Sequence, residues 1–247
     1  MKHPALPLVT IALVTLGFTS VVAAENTNFQ LGFEAPDYTA EASLQSQDGW
    51  SVNQENPDGV FIRGNEAGIT PPEGTQMLEV TRQVGTEIPV AGRVFASVRE
   101  AITGNLTFSF LTTADAASNA AFKIGIGSSF ESQSGAWVSL RRAVSGDGFG
   151  LYYWDGNEKS WNQIGNEIIP LGEFIRFEVA VNAETMTFSV KVLSIDGQLL
   201  AEKDDIPLWD VGGHLAAGKG FNRIVLSADQ HGPTRFFLDD IKVQSTP

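Results

Sequence analysis

Apolar and polar residues alternate with period two over much of the chain. Ile175, Phe177, Val179 and Val181 fall on one side of a strand, and Arg176, Glu178 and Asn182 on the other. After the turn Asn182-Ala183-Glu184-Thr185 the alternation resumes. Met186, Phe188, Val190 and Val192 then oppose Thr187, Ser189 and Lys191, which predicts a hairpin with one buried face. Asp196-Gly197 predicts the next turn, into a strand over 198–203. The same pattern marks Leu106, Phe108 and Phe110, then Phe122, Ile124 and Ile126, then Ala136, Val138 and Leu140. Further strands are predicted over 29–34, 50–53, 59–63, 75–81, 93–98, 148–154, 221–229 and 235–243. Clusters such as Pro57-Asp58-Gly59 and Gly146-Asp147-Gly148 separate them. No stretch reads as an amphipathic helix of three turns. Residues 204–220, with Gly212-Gly213 and Gly218, predict the longest loop, with room for a short helical turn. About a dozen or more short strands in one chain of this size predict an all-β fold, two antiparallel sheets packed face to face. No linker interrupts the pattern, so residues 25–247 read as one domain.

The first 24 residues break this grammar. Lys2 supplies a positive start, and Leu6 to Phe18 an apolar run interrupted by Pro7, Thr10, Thr15 and Gly17. Val22-Ala23-Ala24 then offers small residues before Glu25. That is the pattern of a cleaved secretory signal, and the run is short for a membrane anchor. No later segment approaches the roughly 20 apolar residues of a transmembrane helix. The mature protein is therefore expected to be secreted, periplasmic or at the cell surface, with no transmembrane span.

Charge and composition narrow the partners. Sixteen Lys+Arg against 29 Asp+Glu give a net charge of −13, which argues against nucleic acid and anionic membranes. It also argues, less strongly, against anionic glycans. The chain has no Cys, which excludes disulfides, thiolate metal sites and cysteine nucleophiles together.

Three segments carry a resemblance. The first is the opening strand Phe29-Gln30-Leu31-Gly32-Phe33-Glu34, with Tyr38 and Gln47-Asp48-Gly49-Trp50 after it. The second is the hairpin over 174–193 with its Asp196-Gly197 turn, and the third the closing strand Phe236-Phe237-Leu238-Asp239-Asp240-Ile241-Lys242-Val243. Together they resemble the concanavalin A-like lectin/glucanase superfamily, including its laminin G-like members, in the form found in secreted bacterial proteins. The resemblance spans nearly the whole mature chain and implies a jelly-roll sandwich. It leaves activity open, because that fold hosts lectins, hydrolases, lyases and adhesive modules.

In the closing strand, alternation puts Phe237, Asp239, Ile241 and Val243 on one face, so Asp239 is expected to turn inward. A buried carboxylate needs a cation, an Arg partner or several backbone donors. The resemblance implies a structural calcium ion at this place, held by Asp239 and by Glu34 at the end of the first strand. The turn at Gly74 could add carbonyl oxygens. Arg63 or Arg235 are the alternative partners for Asp239. Asp240 is expected on a solvated face unless a bulge exchanges the two.

Aromatic residues supply the other candidate chemistry. Trp137, Ser139 and Arg141 alternate against Ala136, Val138 and Leu140, and Tyr152 and Trp154 against Phe149, Leu151 and Tyr153. Trp161 follows the turn Asp155-Gly156-Asn157. A sheet face bearing Trp137, Arg141, Tyr152, Trp154 and Trp161 offers what a sugar requires: rings for its apolar C–H face and polar groups for its hydroxyls. Each ring taken singly reads as core filling, and only the group reads as a sugar surface.

Catalytic constellations are sparse. The glucanase pattern Glu-x-Asp-x-x-Glu is matched only by Glu202-Lys203-Asp204, and Pro207 stands where the third acid belongs. No other acids are spaced as a nucleophile and acid pair. A lyase acting on an acidic polysaccharide would need a uronate-neutralising group and a proton carrier. Arg141-Arg142, Tyr152, Tyr153, His214 and His231 provide the residue types without a diagnostic spacing. No nucleophile elbow, phosphate loop or dinucleotide fingerprint occurs. The sequence thus points to an exported, non-catalytic, lectin-like domain whose partner is a glycan or polysaccharide. A polysaccharide lyase, or a structural or adhesive module binding protein, is the alternative.

Overall fold

The computed structural model describes residues 28–53, 59–65, 68–83, 86, 88–97, 99–115, 118, 121–129, 131–143, 147–228 and 232–246. The predicted signal and His231 lie outside them. Fifteen strands follow one another: β1 (Asn28–Leu31), β2 (Trp50–Val52), β3 (Val60–Arg63), β4 (Met77–Arg82), β5 (Val90–Val94), β6 (Leu106–Ala114), β7 (Phe122–Ser128), β8 (Glu131–Arg142), β9 (Gly148–Asp155), β10 (Ser160–Pro170), β11 (Ile175–Asn182), β12 (Thr187–Ser194), β13 (Leu199–Pro207), β14 (Arg223–Ala228) and β15 (Thr234–Ser245). They form two antiparallel sheets packed as a sandwich. One has eight strands, ordered β13-β12-β11-β6-β15-β4-β3 with β1 added to β15, and the other has seven, ordered β10-β9-β8-β7-β14-β5-β2. Among the described residues no helix is long and apolar enough to cross a membrane.

The predicted hairpin is β11–β12, paired Val179 to Val190 and Val181 to Phe188. Its turn is closed by the Asn182 side-chain oxygen, which accepts hydrogen bonds from the Glu184 and Thr185 amides. The inward faces of both sheets meet in one large apolar cluster. Phenylalanines bridge the two layers: Phe236 of the eight-stranded sheet lies 5.2 Å from Phe122 and from Phe149 of the other. Within the eight-stranded sheet Phe110 stacks on Phe177 at 5.2 Å.

Four local expectations are corrected. Strand β10 lies where no strand was expected, because an edge strand buries little and its sequence shows no clean alternation; the pairing with β9 slips between Gln163 and Ile168. Strand β5 starts at Val90 rather than at 93. Strand β15 is bulged: its pairing with β6 shifts between Asp239 and Lys242, and Asp240 adopts φ 46°. Phe236, Leu238, Ile241 and Val243 therefore face the sandwich core, while Phe237 packs on the opposite side with Ile69 and Met77. Strict alternation across the bulge had put Phe237, Asp239, Ile241 and Val243 together. Strand β13 runs on to Pro207, because pairing with β12 continues there, so the loop expected over 204–220 begins only after it and carries a 3-10 turn over Val211–Gly213.

Candidate functional site

The outer face of the seven-stranded sheet gathers the predicted aromatics in rows across the strands. Val225 of β14 pairs with Gly92 and Gly125, and Gly125 with Trp137. Trp154 stands one position beyond the Val138–Tyr153 pair and is itself paired with Trp161. A second row runs Val90, Ser227, Lys123, Ser139, Tyr152 and Gln163. A third runs Val94, Arg223, Gly127 and Gly135, and beside the second row Arg141 pairs with Gly150. Because the period is two, the intervening residues Ile124, Val138, Leu151 and Ile224 all point into the core.

Glycine determines how the rings lie. A Cβ on Gly125 would fall 2.5 Å from the indole Cδ2 of Trp137, so that ring rests across the glycine. Trp137 is 8% exposed, lies outside the main core cluster and donates its indole N–H to the Gln133 carbonyl at 2.8 Å. Trp154 is held between Trp161, edge-on at 5.4 Å and 71°, and Trp209, tilted at 5.0 Å. Its indole N–H is buried and has no hydrogen-bond partner among the described residues.

Trp209 comes from the long loop, and the backbone fixes its place. Its amide and carbonyl exchange hydrogen bonds with Gly135 at 3.2 and 2.8 Å, and the Val211 amide donates to Ser134 Oγ at 2.8 Å. On the other side Gly156 donates to the Pro207 carbonyl at 3.0 Å, in a position where any Cβ would collide with the Leu208 carbonyl. Further along the loop, Asp210 accepts the amides of Leu215 and Ala216, both at 2.9 Å.

These rings enclose a cavity of about 270 Å³, walled by Trp137, Trp154, Trp161 and Trp209 with Lys123 and Gln133 among the polar groups. Four of the chain's five tryptophans are here. Arg141 extends the surface, its guanidinium 4.6 Å from the ring centre of Trp161 and 5.3 Å from that of Tyr152. The five residues singled out from the sequence therefore share one outward face, with Trp209, Lys123 and Arg223 added. Tyr153, considered for proton transfer, points into the core at 9% exposure. Burial raises its phenol, and the charges of Asp155 and Glu158 push the same way. Glu202, Lys203 and Asp204 are exposed on the edge strand β13.

The second candidate constellation converges on the turn at Gly74. Glu34 accepts the amides of Thr75 and Gln76 and the Thr75 hydroxyl, each at 2.8 Å, and lies where a Cβ on Gly74 would have to be. Burial opposes ionisation of Glu34, but these three donors outweigh it and hold its carboxyl below the usual range. Asp239, 0% exposed, accepts the Glu73 amide at 3.2 Å and the Asp240 amide at 2.8 Å. Burial pushes its carboxyl up to about 7, despite those two amides. Calcium takes oxygen ligands, whereas this turn presents amide protons to both acids. As arranged, the pair does not fit such an ion.

Asp240 is not the solvated residue expected from the sequence. The bulge leaves it 1% exposed on the face away from the core, where Arg176 and Lys242 contact it at 2.8 and 2.6 Å. Burial raises its carboxyl, and the two cations more than reverse this to hold it low. Arg63 and Arg235, considered as partners of Asp239, both bind Glu79 instead, at 2.7 and 3.2 Å.

No protein-family model and no curated protein matches this sequence. Among solved structures the chain is similar to a sialidase, with TM-score 0.56 and 13% identity over 89% of this chain. That match covers 18% of the sialidase, so the chain spans only a small part of that protein's length. It is also similar to a carbohydrate esterase from the Shiga toxin-encoding bacteriophage phi24B, at TM-score 0.54 and 11% identity over 88% of this chain and 97% of the other. The basic winged bean lectin with Tn-antigen matches at TM-score 0.52 and 11% identity, over 90% of this chain and 100% of the lectin. At these identities the likeness is one of fold, consistent with a concanavalin A-like sandwich.

Proposed function

We propose that this protein is an exported, non-catalytic β-sandwich that binds a glycan on the outer face of its seven-stranded sheet. The observation that carries this reading is the gathering of Trp137, Trp154, Trp161 and Trp209 around one cavity outside the core. A sandwich needs large rings inside, and here phenylalanines with Tyr38, Trp50 and Tyr153 supply them, while the other four tryptophans lie outside that cluster. Indole rings at an open surface expose flat apolar area that a pyranose C–H face can cover. Arg141, Lys123 and Gln133 surround it with donors for ring hydroxyls. The likeness to a lectin that carries Tn-antigen lends the reading a precedent of fold. Export rests on the sequence of residues 1–24.

A glycan array probed with the purified protein and with Trp154→Ala tests the proposal. The expected result is retention of at least one glycan, weakened about thirtyfold in the variant. Absence of binding across the array would overturn it.

A further inference from the structure

The tryptophan-bearing face differs in charge from the rest of the molecule. The chain holds 29 Asp+Glu against 16 Lys+Arg. Along the rows of that face, however, the charged residues are Lys123, Arg141 and Arg223, and no described position in them is Asp or Glu. Glu202, Asp204 and Asp205 are exposed on β13, and Glu178 stands opposite Lys191 on the other sheet.

Arg223 is the informative member. A Cβ on Gly92 would fall 2.7 Å from its Nη2 and 3.0 Å from its Nε, so the guanidinium lies over that glycine. Gly92 is the cross-strand partner of Val225, which lines the tryptophan cavity. The head group thus sits at the cavity's edge, across the sheet from Trp161. Among the described residues it has neither an ion pair nor a hydrogen bond, and burial alone acts on it, drawing its pKa down. Among the described residues Arg63, Arg93, Arg176 and Arg235, by contrast, all have acidic partners. A half-buried guanidinium without a counter-charge, in a chain rich in carboxylates, presents its planar fork to something that arrives from outside.

We infer that the ligand is an acidic glycan, with a sugar-ring carboxylate seated on Arg223 and the ring stacked in the tryptophan cavity. This rests on the glycan-binding reading and names the substrate class for it. The net charge of −13 had argued against such a ligand. Charges beyond about 8–10 Å are screened at physiological salt, however, so the groups lining the face outweigh the distant acids in the bound state.

The test uses Trp fluorescence titrations with oligosaccharides of galacturonate, mannuronate and glucuronate, each beside its carboxyl-reduced neutral counterpart. At least one acid form is expected to bind about tenfold tighter than its reduced form. Arg223→Gln, its fold checked by circular dichroism, is expected to erase that difference between the acid form and its reduced counterpart. Gly92→Ala serves as the second variant: it crowds the guanidinium without removing the charge and is expected to reduce the preference. Equal binding of acid and reduced forms, or a preference that survives in Arg223→Gln, overturns the carboxylate seat while glycan binding stands. Failure of these sugars and of every glycan on the array overturns both.

Discussion

Trp137 lies across Gly125 on the neighbouring strand, with the indole Cδ2 2.5 Å from where a Cβ would stand. The absence of a side chain at one position thus sets the orientation of a ring on the next strand. That ring is the floor of the cavity that Trp154, Trp161 and Trp209 enclose.

Gly125→Ala is expected to displace this ring. The new methyl would also approach the Ala136 carbonyl to 2.8 Å, so the strand cannot yield without cost. Overpacking of this kind costs about 1–3 kcal/mol. A lowered melting temperature together with an altered near-ultraviolet dichroism of tryptophan checks the effect; unchanged spectra would mean that Trp137 does not rest there.

The aromatic site was legible where alternation alone decides, and obscure where pairing between strands decides. Trp137, Arg141, Tyr152 and Trp154 lie on strands whose inward residues are unambiguous, so their outward direction followed. Trp209 sits in an irregular loop, and only its hydrogen bonds to Gly135 bring it to Trp154. Arg223 begins the strand Arg223–Ala228, with apolar residues on both faces, so the sequence could not say what stood beside it. At the closing strand two adjacent acids hid a bulge, since nothing local marks Asp240 for a positive φ. The fold class survived because an error at one bulge moves a few side chains and leaves the layers intact.

Asp239 and Asp240 are neighbours whose carboxyl groups are shifted in opposite directions. Asp239 is raised to about 7 by burial, so its neutral form stabilises the fold. That contribution is complete below the unfolded value near 4 and is lost as pH rises through about 7. Melting temperature, measured in chelator, is expected to fall between about pH 4 and 7, and Asp239→Asn to flatten that fall. A profile identical in the variant would contradict the assignment.

Asp240 behaves in the reverse sense. Burial raises it, but Lys242 and Arg176 win, so its stabilisation is present above the unfolded value and is lost as pH falls through the lower folded one. Asp240→Ala leaves both cations without their buried partner and is expected to cost about 3 kcal/mol in urea unfolding at neutral pH. Asp240→Asn is expected to lose less stability than the parent below about pH 4.

Calcium titration of chelator-treated protein examines the turn at Gly74. Glu34 and Asp239 are occupied by amide protons there, so millimolar calcium is expected to leave the melting temperature unchanged. A rise that disappears in Asp239→Asn would mean that the turn rearranges to offer carbonyl oxygens.

The most direct measurement is a crystal structure of the protein with an oligosaccharide that it retains. The expected result is a pyranose ring in the cavity among Trp137, Trp154, Trp161 and Trp209, in van der Waals contact with at least one indole face. A sugar bound to the eight-stranded sheet instead, with these four rings unoccupied, would contradict the account.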